Sequence, residues 1–265
     1  MLLWTRRSRT VVLAAFAVVV VVVFVAPLAT VAVAGLAGAW TSALPSNLGF
    51  GHVADALSGE NLASLAVSLQ TAFIAGGLAL VLGAWAALAS RGAPPWLSRV
   101  TVAVFHLPIA VPSVAVGLGL LIAFNARPLL LGGTRWIVIL AHTVLVLAFS
   151  FSAVSAAMDR LDPAYRQAAE SLGAGAVRVL VRVTLPLLLP SLGAAAGLAI
   201  ALSMGELGAT VMVYPPGWST IPVGIFALTD RGEVFEGAAM SILMIVTTLV
   251  VLVLLSRIPT KVAAR

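Results

Sequence analysis

The chain has 265 residues, 62% hydrophobic and 9% charged, with a mean hydropathy of +1.15 and a formal net charge of +6. A soluble domain is only about 45–50% apolar, so a water-soluble globule is excluded. The lack of cysteine excludes disulfides, thiol catalysis and Cys-ligated metal, and basic residues scattered between apolar runs argue against a nucleic-acid partner.

The first apolar run, Val11 to Ala34, follows Arg6, Arg7 and Arg9. A secretory signal has an apolar core of about 7–15 residues, and this run is nearer twice that, so an uncleaved anchor is predicted. Its β-branched Val18 to Val23 is read as helix, because a lone strand in lipid leaves its backbone unsatisfied. Thr41, Ser42, Pro45, Ser46 and Asn47 end the apolar part. Further charge-free stretches run from Asn61 to Ser90, Val100 to Ala126, Trp136 to Met158, Val183 to Gly205 and Gly237 to Ser256. Each can hold the roughly 20 apolar residues of a spanning helix. The expectation is an all-α integral membrane protein, a single domain over 1–265, with six spans near 11–34, 66–89, 102–124, 136–158, 187–205 and 237–256.

Lys and Arg then orient the spans. With the amino terminus inside, 12 of the 15 basic residues fall on the cytoplasmic side: Arg6, Arg7, Arg9, Arg91, Arg99, Arg160, Arg166, Arg178, Arg182, Arg257, Lys261 and Arg265. Arg127, Arg135 and Arg231 remain outside. Both termini are therefore expected in the cytoplasm, with anionic lipid as a contact for the basic side.

Within span three, Pro108 and Pro112 predict a kink or break. Such breaks often mark a moving or ligand-facing part of a transporter, although packing alone explains them too. His106 and His142 have no carboxylate or second histidine at metal spacing and are read as packed or hydrogen-bonded. Gly193 and Gly197 form a GxxxG pair suited to close helix contact.

Between spans four and five, residues 159–186 form a charged cytoplasmic loop carrying Arg166, Glu170, Arg178 and Arg182. Asp162-Pro163 is a good helix start and Gly173 suits a left-handed stop. Tyr165, Ala168, Ala169 and Leu172 follow helical spacing and make a small apolar face. Two readings stand: a membrane-surface helix covering headgroups with its arginines, or a docking helix whose small residues permit close approach to a partner.

Gln167-Ala168-Ala169, three residues, Gly173, nine residues, Val183, then Leu185-Pro186 resembles the "EAA" motif of bacterial ABC importer permeases. Gln167 replaces the usual Glu and Val183 the usual Ile; the first puts in doubt any ion pair to the ATPase. The resemblance implies a coupling helix seated in a groove of a cytoplasmic ATPase, with Tyr165, Gln167, Ala168, Ala169, Glu170, Leu172, Gly173, Leu185 and Pro186 as the coupling residues. It also implies the type I (MetI-like) permease fold in a bacterial inner membrane. Its partners would be two ATPase subunits, a second permease subunit that is a homologue, and a periplasmic or lipid-anchored substrate-binding protein. No cofactor or metal is expected.

The segment between spans five and six, Ser203 to Gly232, is rich in glycine, and its Tyr214-Pro215-Pro216-Gly217-Trp218 reads as a turn with two interfacial aromatics. Glu206 is either a solvated span end or a carboxylate at the mouth or gate of a transport path, with Gly205 and Gly208 beside it. "SMGELGAT", "YPPGW", "LTDRG", "WIVILAH" and "PSVAVGLG" resemble the 2-aminoethylphosphonate importer permeases, within a group that also serves molybdate, sulfate and iron. That resemblance implies an importer subunit, with Glu206 toward the substrate ammonium and Arg127, Arg135 or Arg231 toward the phosphonate. A membrane enzyme would need a clustered acid–base or metal constellation. A secondary transporter would need ionisable or unwound polar sites deep in a span, where this chain places no Asp, Glu, Lys or Arg. The phosphate-cradling GxxxxGK[ST] does not occur, so ATP hydrolysis is expected on another chain.

Overall fold

Nearly all the apolar runs are helical in the computed structural model, which describes residues 6–257. Lys261 and Arg265, assigned above to the cytoplasmic side, lie outside them. In chain order come α1 (Arg6–Ala34), β1 (Ala37–Ala39), β2 (Ser46–Leu48), α2 (Gly51–Ala56), α3 (Gly59–Arg91), α4 (Pro95–Ala110) and α5 (Ser113–Ala123). Then follow α6 (Arg135–Asp159), α7 (Pro163–Ser171), α8 (Ala176–Met204), α9 (Gly208–Val213), α10 (Ile221–Asp230) and α11 (Val234–Ser256). Among the described residues α1, α3, α6, α8 and α11 are each long and apolar enough to cross a bilayer. The pair α4–α5, bent by 106°, makes a sixth crossing if counted as one broken span.

That bend is where the sequence placed prolines. Pro108 sits inside α4, and Val111 is extended (φ −107°, ψ 132°) immediately before Pro112. A residue preceding proline is pushed out of the helical region, so the helix stops there and restarts at Ser113. The apolar run expected as a single span over 102–124 is thus two helices set at a steep angle.

Pro27 and Pro186 have a different outcome. Each follows a single π-helical turn, Val21–Val25 in α1 and Leu180–Thr184 in α8. Those turns close through bonds reaching back five residues, from Ala26 N–H to Val21 O and from Leu185 N–H to Leu180 O. Proline removes one backbone donor and crowds the carbonyl four residues back, and a widened turn absorbs that misfit without ending the helix. The helix of span five therefore begins at Ala176, well ahead of the expected 187.

Two compact parts can be distinguished. In the part made of residues up to 63 with 224–245, β1 and β2 form an antiparallel hairpin, with Ala37 opposite Leu48 and Ala39 opposite Ser46. Here Asn61 Nδ2 donates to Glu236 Oε1 at 2.7 Å, and His52 stacks on Phe235 with centroids 6.1 Å apart. The apolar stretch of α1 is wholly exposed, as a helix facing lipid would be.

The part made of 64–223 with 246–257 is centred on α6, whose apolar stretch is 61% buried. Three layers stack along it. Ala87, Phe151, Val154, Met158 and Leu188 form one end, Ala79, Val146 and Ala199 the middle, and Ile137, Val138, Ala141, Ala209 and Val213 the other end. Each layer includes at least one alanine, and such small residues let backbones approach, which is how helices associate where lipid removes the hydrophobic drive between them. Gly83 shows the limit: a Cβ there would lie 2.7 Å from the Phe151 amide nitrogen of α6.

Candidate functional site

α7 is built as a self-contained surface helix. Asp162 accepts a hydrogen bond from Ala164 N–H at 2.8 Å, and Pro163 occupies the first helical position. At the other end Gly173 takes φ +81°, Gly173 N–H bonds to Glu170 O and Ala174 N–H bonds back to Ala169 O. This is the Schellman arrangement, which needs a left-handed residue where only glycine is unstrained. Tyr165 is 57% exposed and Leu172 88% exposed. Gln167, Ala168, Glu170 and Gly173 are exposed as well, and Ala169 is half-buried. Arg166 Nε lies 3.9 Å from Glu170 Oε1. Leu185 and Pro186 are half-buried in α8 and are not part of this helix. Behind α7 a groove of about 550 Å³ runs between it and the start of α8, with Leu88, Arg91, Met158, Tyr165 and Leu180 among its walls. Arg91 pairs with Asp159 at 2.9 Å on the same rim.

A second constellation lies where α8 ends. Gly205 closes α8, and Glu206 turns its Oε1 back to accept from Ala209 N–H at 2.7 Å, so the carboxylate caps the start of α9. Glu206 is half-buried. Gly208 lies against Val114, so α9 rests on the start of α5. His142, on α6, is buried; its Nδ1 is 2.7 Å from Ser203 Oγ on α8 and its Nε2 is 2.7 Å from Thr210 Oγ1 on α9. Glu206, His142 and Ser203 share the wall of a cavity of about 210 Å³ with Pro108 and Ile109 of α4 and apolar residues of α6 and α8. The sequence reading treated His142 as packed or hydrogen-bonded, and it is both. What it missed is that both partners are distant hydroxyls; no local spacing signals them.

The remaining features fall into place more simply. His106 Nδ1 is 2.8 Å from Val102 O and its Nε2 2.8 Å from Ser152 Oγ. Arg135 lies over the rings of Trp136 and Trp218, at 5.1 and 5.6 Å, and Trp218 Nε1 donates to Thr71 Oγ1 at 3.2 Å. Arg231 instead lies 3.9 Å from Glu233. Gly193 and Gly197 line a shallow groove of about 280 Å³ with Leu252 and Leu255.

Residues 79–265 match the family model described as "Binding-protein-dependent transport system inner membrane component". The chain is also 45% identical over 262 residues to the Salmonella typhimurium protein named "Putative 2-aminoethylphosphonate transport system permease protein PhnV", covering 97% of both. This chain belongs to the binding-protein-dependent permease family. A more distant relative, the "Molybdenum transport system permease protein ModB" of Escherichia coli (strain K12), is 34% identical over 184 residues, which is 61% of this chain and 79% of that one. In three dimensions the permease superposes on a chain of a bacterial ABC transporter involved in alginate import. The TM-score is 0.75 at 19% identity, over 98% of this chain and 99% of that one. A chain of the MetNI methionine ABC transporter matches with a TM-score of 0.56 at 18% identity, over 73% of this chain and 90% of that one. The permease therefore has the fold of ABC importer membrane subunits and is a multi-span transport component rather than an enzyme. Permeases of this kind work with an ATPase and a periplasmic binding protein.

Proposed function

We propose that this chain is the membrane-spanning subunit of an ATP-driven importer of 2-aminoethylphosphonate. The observation that carries the substrate is 45% identity sustained over 97% of both chains with a relative named for that compound, against 34% over 61% of this chain for the molybdenum permease. The chain acts as one domain of six spans in the bacterial inner membrane, the third broken between α4 and α5, with both termini in the cytoplasm. Its partners are two ATPase subunits, a homologous second permease subunit, a binding protein outside, and lipid.

α7 docks in the ATPase groove. Its exposed Tyr165, Ala168 and Leu172 and its local caps support this, since such a helix presents a contact face without drawing on the core. Gln167, Ala169, Glu170 and Gly173 complete that contact, while Leu185 and Pro186 carry its movement into α8. ATPase closure pushes on 162–186 and switches the spans. Glu206, with Gly205 and Gly208, lines the translocation path, supported by its place in the wall of the 210 Å³ cavity at the broken α4–α5 pair.

The substrate is tested by deletion: without this chain, growth on 2-aminoethylphosphonate as sole phosphorus source stops in cells lacking another uptake route. Unchanged growth there, with failure under molybdate limitation, transfers the assignment to the molybdenum-type reading. For orientation, cysteines placed at Ser58 and Thr229 react with an impermeant external thiol reagent in intact cells and one at Arg99 does not; the reverse pattern inverts the map.

A further inference from the structure

The bonds around His142 form a directed chain. Thr210 Oγ1 donates to Glu206 O at 3.3 Å. A hydroxyl has one proton to give, so with that proton on Glu206 O the His142 Nε2 is assigned as the donor to Thr210 Oγ1. A neutral imidazole then accepts at Nδ1, from the Ser203 hydroxyl. The sequence Ser203 to His142 to Thr210 to the Glu206 backbone closes with no proton left over. It joins α8, α6 and α9, and it spans both sides of the 204–208 turn that carries Glu206. All three side chains are buried. Nothing local requires them: α8 could end and α9 begin with apolar residues at 203 and 210, as the small apolar contacts of Ala141 with Ala209 already pack the helices.

We infer that the Ser203–His142–Thr210 bridge is a positioning device for transport, setting the rotation of the 204–208 turn so that Glu206 faces the cavity beside the α4–α5 break. This rests on the reading of Glu206 as part of the translocation path. Hydrophobic contact is non-directional, so it holds α9 against α6 without fixing which way Glu206 points. Hydrogen bonds from the two ends of one ring to two different helices do fix it. The Glu206 carboxylate has one oxygen engaged by Ala209 N–H.

The test uses the complete transporter in liposomes. His142→Phe alone leaves the buried Ser203 hydroxyl without its partner and can fail to fold, so the deciding variant is His142→Phe with Ser203→Ala and Thr210→Val. Replacing every partner by apolar groups of similar shape is close to neutral for stability. We expect wild-type thermal stability and ATPase recovery for it, but uptake reduced roughly tenfold. Wild-type uptake in this triple variant overturns the inference, because the bridge would then be only a way of satisfying buried groups. Loss of stability in the triple variant overturns it equally, since the bridge would then be holding the fold.

Glu206→Gln completes a cycle. The amide keeps an oxygen for Ala209 N–H and removes the charge. If the bridge acts through Glu206, this change costs roughly tenfold in the wild-type background and little in the triple variant. A full loss in both backgrounds overturns the bridge but leaves Glu206 on the path. Normal uptake in the single Glu206→Gln variant removes Glu206 from the path, and the inference with it.

Discussion

In α7 the polar groups are answered by near neighbours in the chain. Asp162 holds Ala164 N–H, Gly173 and Ala174 turn their amides back to Glu170 and Ala169, and Ser171 Oγ donates to Gln167 O at 2.9 Å. On α6, His142 is answered by Ser203 and Thr210, 61 and 68 residues away. The first arrangement makes a helix that keeps its shape wherever the rest of the chain moves. The second exists only while three helices are packed together, and it ties their mutual rotation. Under the proposed function, the first would serve as a stiff handle for the ATPase and the second as a bonded junction beside the path.

The sharpest way to break this contrast is at the α3–α6 crossing. In Gly83→Leu the new Cβ meets the Phe151 nitrogen at 2.7 Å and the Ser150 carbonyl carbon at 3.1 Å, neither of which can yield as a flexible side chain would. We expect a loss of about 3 kcal/mol or more in stability, seen as a large drop in the melting temperature of the purified permease. An unchanged melting temperature would mean that α6 is not the centre of the fold.

Gly173→Leu should have a smaller and local effect. A non-glycine residue at φ +81° is strained by about 1–2 kcal/mol, and its side chain adds bulk to the proposed docking face. Co-purified ATPase should fall by about tenfold while the melting temperature stays within a degree or two. Loss of both together would show that α7 is not self-contained.

Asp162→Ala removes one cap, at about 1 kcal/mol. Amide exchange at Ala164 and Tyr165 should speed up several-fold without any change at Ala141 to Thr143, and Asp162→Asn should restore it. Equal acceleration in α6 would couple the two regions and dissolve the distinction.

Arg166→Gln should do least. Its pair with Glu170 is 3.9 Å long and both side chains are at least half exposed, so solvent screening leaves well under about 0.5 kcal/mol. ATPase recovery should remain within about twofold; a larger loss would move Arg166 into the ATPase contact itself.

What could be read directly from the residues depended on short range. Charge-free runs of spanning length declared a six-crossing membrane fold, since a bilayer tests each segment for apolarity one at a time. Asp162-Pro163 and Gly173 declared the ends of α7, because capping needs only residues two to five positions apart. Pro112 declared a break through its effect on the residue before it. The tertiary structure decided the rest. The same residue type at Pro186 did not end a helix, because a π turn at Leu180–Thr184 absorbed it. The hairpin of 37–39 with 46–48 depends on pairing between segments too short to advertise a strand. His142 became the bridge between α8 and α9 only once packing brought it within 2.7 Å of Ser203 and Thr210. Helix propensity, capping and apolar length act along the chain and are written in local order. The bond that aims a side chain across three helices is set by where those helices cross, and crossing geometry comes from the packing of many small side chains at once.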